Sequence, residues 1–492
     1  MTALSFPPGQ SYLPIRRAMK LTGSIWAIVL AAVATTACGS KLQQQLQSQL
    51  LPSLSKGASI SSTAPARWSE FDAPDPGAVI NVATEQDVVT SVRYCTQNKM
   101  PFLAQNGGNG WSTTVGSLTT NGVIINLAGL DQVTFSPDKK QATIGGGANI
   151  STTINAAYNA GVLVETGNCN CVGTLGAILG AGYGNLMGLY SFGIDNVLSL
   201  RVVTANGILQ NVTAKSNPDL FWALRGAGPN LGIVTSATVN AYPAEADDFL
   251  AWTGDLIYTE DKLEDVVQAI QDLVLTPEMV IFLYFLAGSD GTPVVVASPF
   301  LYKGNATSGQ EAFASLYAIG PVEDTTTVVE YNEWNAGTNA LCTRGDYKPG
   351  WAAGFQNMVP STWRAMWNAY TAFQALPGAE NSGLLLEAYD LTKARTFPSG
   401  SAAFPNRNVN FNAFVIPWYN DSSLDPQAEE LGNTVRNLLR STSGLPQNQT
   451  YINFAHGDED LSVVYGNSLT RLKTIKKTYD PLNVFSHWFD IQ

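Results

Sequence analysis

Between residues 79 and 239 the apolar positions alternate between two periods. Thr84 to Asp87 has the form of a capping box, and Val88, Val92 and Cys95 recur at helical spacing, which predicts a helix of about three turns. Phe102 to Ala104 reads as a short strand running into Gln105-Asn106-Gly107-Gly108-Asn109-Gly110, whose glycines reach backbone conformations closed to other residues. Strands are predicted again at 123–127 and 142–146. Asn206-Gly207 separates two apolar runs, Leu198 to Val203 and Ile208 to Val212, a strong hairpin signal. A further glycine cluster, Gly226, Gly228 and Gly232, leads into a strand over Ile233 to Val239.

From Tyr242 onward the pattern changes to longer helices and antiparallel strands. Leu263, Val266, Val267, Ile270 and Leu273 form a helical stripe, and Val280 to Leu286 and Val294 to Leu301 flank an Asp290-Gly291 turn. Leu384 to Glu387 and Asn410 to Ile416 are further strands, so a second domain built on a covered antiparallel sheet is predicted. No internal repeat is found.

The N-terminus carries the layout of an export signal. Arg16, Arg17 and Lys20 precede an apolar run from Ile25 to Val33, and small residues follow through Ala37 and Gly39. The run is shorter than the roughly 20 apolar residues of a membrane span, which predicts export without an anchor. Residues 1–37 are assigned to the signal, with Met1 and Met19 both open as the start. Residues 38–72 form a lead-in containing Gln, Ser and Leu, and regular structure is expected from near Val79. Sequons at Asn149, Asn211, Asn305, Asn420 and Asn448 fit a secretory route and a glycoprotein.

Composition narrows the classes further. The 492 residues are 45% hydrophobic and only 13% charged, as in a globular protein of two to three domains, and a monomer is expected. A net charge of -12 repels phosphate backbones and anionic headgroups, which argues against nucleic acid as a partner. The cysteines are Cys38, Cys95, Cys169, Cys171 and Cys342, an odd number, so at least one is unpaired among them. Cys169 and Cys171 stand too close for an unstrained mutual disulfide, no zinc-ligand spacing occurs, and no metal is predicted.

The chemistry concentrates in three glycine-rich segments, 105–110, 173–184 and 226–232. Glycines expose amides and admit the close approach that a diphosphate requires, so a dinucleotide is the natural ligand. Gly180-Ala181-Gly182-Tyr183-Gly184 lacks the spacing of a nicotinamide fingerprint and opens no N-terminal βαβ unit.

The order of motifs from Ala66 to the C-terminus resembles the berberine bridge enzyme-like branch of the vanillyl-alcohol oxidase flavoprotein superfamily. The matching segments are AQNGGNGW at 104–111, GNCNCVGTLGAILGAGYG at 167–184, DLFWALRGAGPNLGIVTS at 219–236, FPNR at 404–407, YINF at 451–454 and YDPLNVF at 479–485. The resemblance implies an α+β protein: a two-subdomain PCMH-type FAD-binding domain over 73–243 and a substrate domain over 244–445, whose antiparallel sheet is covered by helices. A C-terminal segment, 446–492, returns to the FAD domain. It implies FAD held by Asn106, Gly107, Gly108, Asn109, Gly110, Cys169, Val172, Gly173, Thr174, Gly176, Gly182, Gly184, Gly232, Val234 and Asn453.

One departure from that family matters. Its glycine loop usually reads Gly-Gly-His, the histidine being bonded to the flavin, whereas here Gly107-Gly108 is followed by Asn109. FAD is then either held without a covalent bond or joined through a single thioether from Cys169, while Cys171 is expected to pack. Val172 matches an oxygen-gate position, which implies O2 as acceptor. Tyr451 matches a tyrosine that deprotonates substrate in family oxidases, Asn453 would orient the flavin or that phenol, and His456 stands nearby. Glu387 is an alternative base, and Tyr389, Trp418 and Tyr419 come from the same sheet. Relatives also imply a Cys38–Cys95 disulfide.

The expectation is an exported FAD-dependent oxidase that takes a hydride from a hydroxylated or phenolic small molecule, with a role in specialised metabolism. A carbohydrate oxidase is the alternative within enzymes, and an open aromatic-lined groove rather than a closed apolar pocket would favour it. A non-catalytic flavin-binding or interaction protein is the alternative from another class.

Overall fold

A computed structural model of the chain describes residues 40–492; the export-like segment and Cys38 lie outside the described residues. Regular structure begins earlier than expected, with a helix over Lys41–Gln49 and a strand over Ser59–Ser61. Leu42, Leu46 and Leu50 stand four apart, and Leu46 and Leu50 are buried in the apolar cluster that also holds Val88, Val92 and Cys95.

The capping box forms as written. The Thr84 hydroxyl accepts from the Asp87 N–H at 3.2 Å and the Asp87 carboxylate accepts from the Thr84 N–H at 2.9 Å, starting helix α1 (Glu85–Gln97). Strand β1 (Phe102–Gln105) lies parallel to Val123–Asn126, which lies parallel to Ala78–Asn81. This four-stranded sheet delivers the chain from β1 straight into the first glycine loop. A second, five-stranded antiparallel sheet contains the hairpin at Asn206-Gly207, where Gly207 has φ +69° and Val203 pairs with Leu209. Helix α2 (Thr174–Gly180) follows the second glycine segment.

The third sheet has nine strands, all antiparallel where paired. At its centre β2 (Met279–Ala287) pairs with β3 (Gly383–Tyr389), and β3 with β4 (Phe411–Ile416). Strand alternation gives this sheet two faces. Ile281, Leu283, Phe285, Leu384, Leu386, Ala413 and Val415 pack with residues of the helices Leu263–Asp272, Pro360–Gln374 and Asp425–Ser441. Tyr284, Leu385, Phe414 and Ile416 belong to a separate cluster on the opposite face. Register sets Phe282 beside Glu387 and Glu387 beside Asn412, so the carboxylate sits mid-sheet on that second face.

The C-terminal segment joins the core around α2. Tyr451, Ile452, Val464, Tyr465 and Phe489 share one apolar cluster with Leu175, Ile178 and Leu179.

Candidate active site

The first two glycine segments lie against each other. A Cβ on Gly107 would fall 2.8 Å from the Gly173 nitrogen and 3.0 Å from the Cys171 oxygen, and one on Gly173 would fall 2.8 Å from Asn106 Nδ2. Nothing larger than glycine fits this approach. Gly108 turns the loop in the left-handed region, at φ +66°. The pairing is fixed from behind: Ile150 N–H donates to the Val172 carbonyl at 2.9 Å, Thr174 N–H donates to the Ala148 carbonyl at 3.0 Å, and Asn106 Nδ2 donates to the same carbonyl at 3.0 Å. Asn109 serves the loop too, its amide donating to the carbonyls of Gly107 at 2.9 Å and Cys171 at 3.1 Å.

Between these loops and the second face of the large sheet lies a cavity of about 360 Å³. Asn106 through Gly110, Cys169, Val172, Gly173 and Gly176 line one side; Glu387, Tyr451 and Asn453 line it as well. The third segment contributes Gly226 and Pro229.

Five residues assigned to the cofactor from sequence do not line this cavity. Thr174 is buried with its hydroxyl 2.8 Å from that of Thr153. Gly182 donates its N–H to the Tyr451 hydroxyl at 3.3 Å. Gly184 is pressed onto the Thr166 carbonyl, where a Cβ would fall at 1.7 Å, and Gly232 onto Val202 and Val203. Val234 is buried in its strand opposite Val202. Close backbone packing accounts for the three glycines, Gly182, Gly184 and Gly232.

Glu387 is buried at 8% exposure and accepts a hydrogen bond from Tyr389 Oη at 3.0 Å. Burial pushes its carboxyl up to about 7 despite that bond. Tyr451 is also buried. Its oxygen accepts from Asn453 Nδ2 at 2.8 Å and its hydroxyl donates to the Ala177 carbonyl at 3.3 Å. These neighbours do not bring the phenol toward neutral pH as a base would need; burial pushes it further up. His456 turns away from the cavity, with Nδ1 3.1 Å from the Gly350 carbonyl and its ring stacked on Trp351 at 4.0 Å. Trp418 donates from Nε1 to Asp346 at 2.8 Å, and Tyr419 is in the helix-facing core.

The sulfur chemistry differs from expectation. Cys171 does not merely pack: it forms a disulfide with Cys342, tying the 167–173 segment to the turn Ala336–Cys342. Cys95 is a buried thiol that burial pushes up to about 12, and Cys38, its expected disulfide partner, lies outside the described residues. Cys169 is free, lines the cavity and lies 3.7 and 3.8 Å from the two bridged sulfurs.

Sequence reasoning missed Arg67, Trp111 and Trp488. Arg67, only 7% exposed, donates to Gln105 Oε1 at 2.9 Å and to the Gly110 carbonyl, both neutral acceptors. Burial lowers it to about 10, so it remains a cation lining the cavity at neutral pH. An arginine in the loop between the strands Ser59–Ser61 and Ala78–Asn81 carries no periodic signal. Trp111 stacks on Phe454 at 5.7 Å, and its tryptophan type directly after the glycine loop was the available sign.

Comparison with known proteins decides the family. The FAD binding domain family matches residues 76–213, and the family described as berberine and berberine like matches 450–489. An FAD-linked oxidoreductase of Pyricularia oryzae, OXR1, is 33% identical over 433 residues, covering 85% of this chain and 84% of that protein. The chain belongs to the berberine bridge enzyme-like FAD-linked oxidoreductases. Its fold is that of BBE-like 1 from Physcomitrella patens, with TM-score 0.78 and 23% identity over 90% of this chain and 98% of that one. Glucooligosaccharide oxidase from Acremonium strictum, described with a 6-S-cysteinyl, 8α-N1-histidyl FAD, has TM-score 0.75 and 18% identity over 91% of this chain and 99% of that one.

This BBE-like chain is therefore an FAD-linked oxidoreductase, and the geometry fits its cofactor. Gly176 has no heavy atom within 4 Å of where a Cβ would stand, leaving its backbone open to the cavity. The paired glycine loops and the Arg67 cation suit the anionic diphosphate of FAD. At the histidine position Asn109 has no nucleophile, while Cys169 brings a thiol to the same cavity. Among the described residues no helix is long and apolar enough to cross a membrane.

Proposed function

We propose that this oxidoreductase is an exported oxidase of hydroxylated or phenolic small molecules of largely apolar character, with Glu387 as the proton acceptor. The carrying observation is Glu387 itself: a carboxyl held near 7, set mid-sheet among Phe282, Tyr284, Leu385, Phe414 and Ile416, facing the glycine loops across one cavity. Bound FAD supplies the two-electron acceptor for the substrate's hydride. The chain's own part is to seat an apolar ring against the aromatic wall, exclude water, and take the hydroxyl proton on the Glu387 carboxylate. A general base tuned near the working pH is the efficient one. Tyr451, kept as a phenol by burial, orients rather than deprotonates.

Val172, half-buried on the cavity wall, supports O2 as reoxidant because a small side chain there leaves room beside the flavin loops. Export is supported by the N-terminal layout, by a disulfide of the kind that persists in oxidising compartments, and by exposed sequons at Asn211, Asn305, Asn420 and Asn448. Asn149 is a poorer acceptor, because it is partly buried and caps the helix Ile150–Ala160.

The test is anaerobic addition of a panel of benzylic and phenolic alcohols, or of xylo- and cello-oligosaccharides, to purified holoenzyme. Loss of the flavin's visible absorbance with the aromatic alcohols, and hydrogen peroxide on admitting air, are expected. Reduction by the oligosaccharides alone would favour the carbohydrate alternative and overturn the substrate class.

A further inference from the structure

Behind Glu387 runs a short chain of hydrogen bonds that the redox reaction does not itself require. Asn168, in the flavin-side segment next to Cys169, donates from Nδ2 to Tyr389 Oη at 2.5 Å. Tyr389, two residues along β3 from Glu387 and on the same face, donates to Glu387 Oε2 at 3.0 Å. With the Asn168 amide nitrogen donating and Glu387 ionised, the tyrosine oxygen accepts from the amide and its single hydrogen goes to the carboxylate.

We propose that Asn168 and Tyr389 are positioning residues that aim Glu387 and favour its ionised form, through a chain completed across the boundary between the flavin-side segment and the substrate sheet. The proposal rests on the reading of Glu387 as base and deepens it.

Three observations support it. Tyr389 is 4% exposed, and its ring packs against those of Tyr183, at 5.6 Å, and Phe282, at 6.1 Å, which fixes where its hydroxyl lies. The Asn168 backbone is held in turn, its carbonyl accepting from Thr338 Oγ1 at 3.0 Å. Cys169 and Tyr183 from the flavin side, Tyr284 from β2, Tyr451 from the C-terminal segment and Tyr389 on its own strand are all pushed up by burial and neutral, and the Arg67 cation on the same cavity donates to Gln105 and Gly110 instead of to Glu387. Tyr389 thus supplies the hydrogen bond that the Glu387 carboxylate accepts among the described residues.

Asn168 also borders a second, water-sized cavity of about 10 Å³ that it shares with Glu165. Glu165 is buried with no side-chain partner, and burial pushes its carboxyl well above the ordinary range despite the backbone N–H of Leu186. Glu165 therefore keeps its proton and adds no negative charge behind the chain that would oppose ionisation of Glu387.

The test reads the bound flavin as a probe, without substrate. The visible spectrum of the holoenzyme is followed with pH in wild type, Glu387→Gln, Tyr389→Phe and Asn168→Asp. A transition near 7 is expected in wild type and absent from Glu387→Gln. Tyr389→Phe should raise its midpoint by about one pH unit, because a hydrogen bond to the charged form is lost. Asn168→Asp should also raise it, since the introduced carboxylate draws the tyrosine's hydrogen away from Glu387. A merely structural role would leave the midpoint unmoved. A transition lost in Glu387→Gln but unshifted in both other variants would overturn the positioning role while leaving Glu387 as the titrating group. A transition that persists in Glu387→Gln, or none in wild type, would overturn both readings.

Discussion

A carboxyl buried opposite Phe282 binds its proton more tightly in the folded protein than in the unfolded chain. Glu387 stands near 7 against an ordinary 4.5. Between those values the folded state holds more protons than the unfolded state, so stability falls as pH rises through that window and stays lowered above it. The full penalty is about 3 kcal/mol. Glu387→Gln keeps an oxygen for Tyr389 and sheds the charge, so it should be the more stable protein at about pH 8, with the difference shrinking toward about pH 5. Urea denaturation at the two pH values checks this, and a variant no more stable than wild type at the higher pH would contradict it. At this scale the sequence was informative where chemistry coincides with pattern. Glu387 closes an apolar strand run and Tyr451 opens a recognisable motif. Gly182, Gly184 and Gly232 were indistinguishable from the cavity-lining glycines, because a close backbone contact and a close ligand contact demand the same residue.

Among the elements, the strands of the large sheet and the capped helix α1 were legible from period and capping alone. The helix Lys41–Gln49 was not, although Leu42, Leu46 and Leu50 repeat every four residues; its glutamines read as lead-in, and only tertiary contact with α1 shows the stripe to be a core face. The disulfide was hidden for another reason. Cys171 and Cys342 are 171 residues apart, and nothing local brings the turn Ala336–Cys342 to the flavin-side segment, where the two Cα atoms lie 5.8 Å apart. That bridge holds Thr338 and Leu341 at the cavity wall. Non-reducing tryptic mapping should find peptide 141–201 joined to 304–344. Cys342→Ser should lower stability by about 2–4 kcal/mol. Both peptides recovered separately without reductant would contradict the pairing.

Across the whole molecule, the site arises where three glycine segments, one sheet face and the C-terminal return meet. No single stretch of sequence contains it. Motif order made that assembly legible, since 104–111, 167–184 and 451–454 are far apart in the chain and converge on one cavity. The apolar character of the opposing wall was not legible, because which strand residues face the flavin depends on register, and a slip of one residue would turn Glu387 into the helix-packed core. Register also carries the account's main claim, that a buried near-neutral carboxylate on this sheet accepts the substrate's proton. The most direct measurement is the anaerobic rate of flavin reduction against pH, with an aromatic alcohol that reduces the wild type. In wild type the rate should rise with pH, level off above about 7, and in Glu387→Gln be at least roughly 100-fold slower and flat. A Glu387→Gln enzyme that keeps the wild-type rate and pH profile would contradict the account.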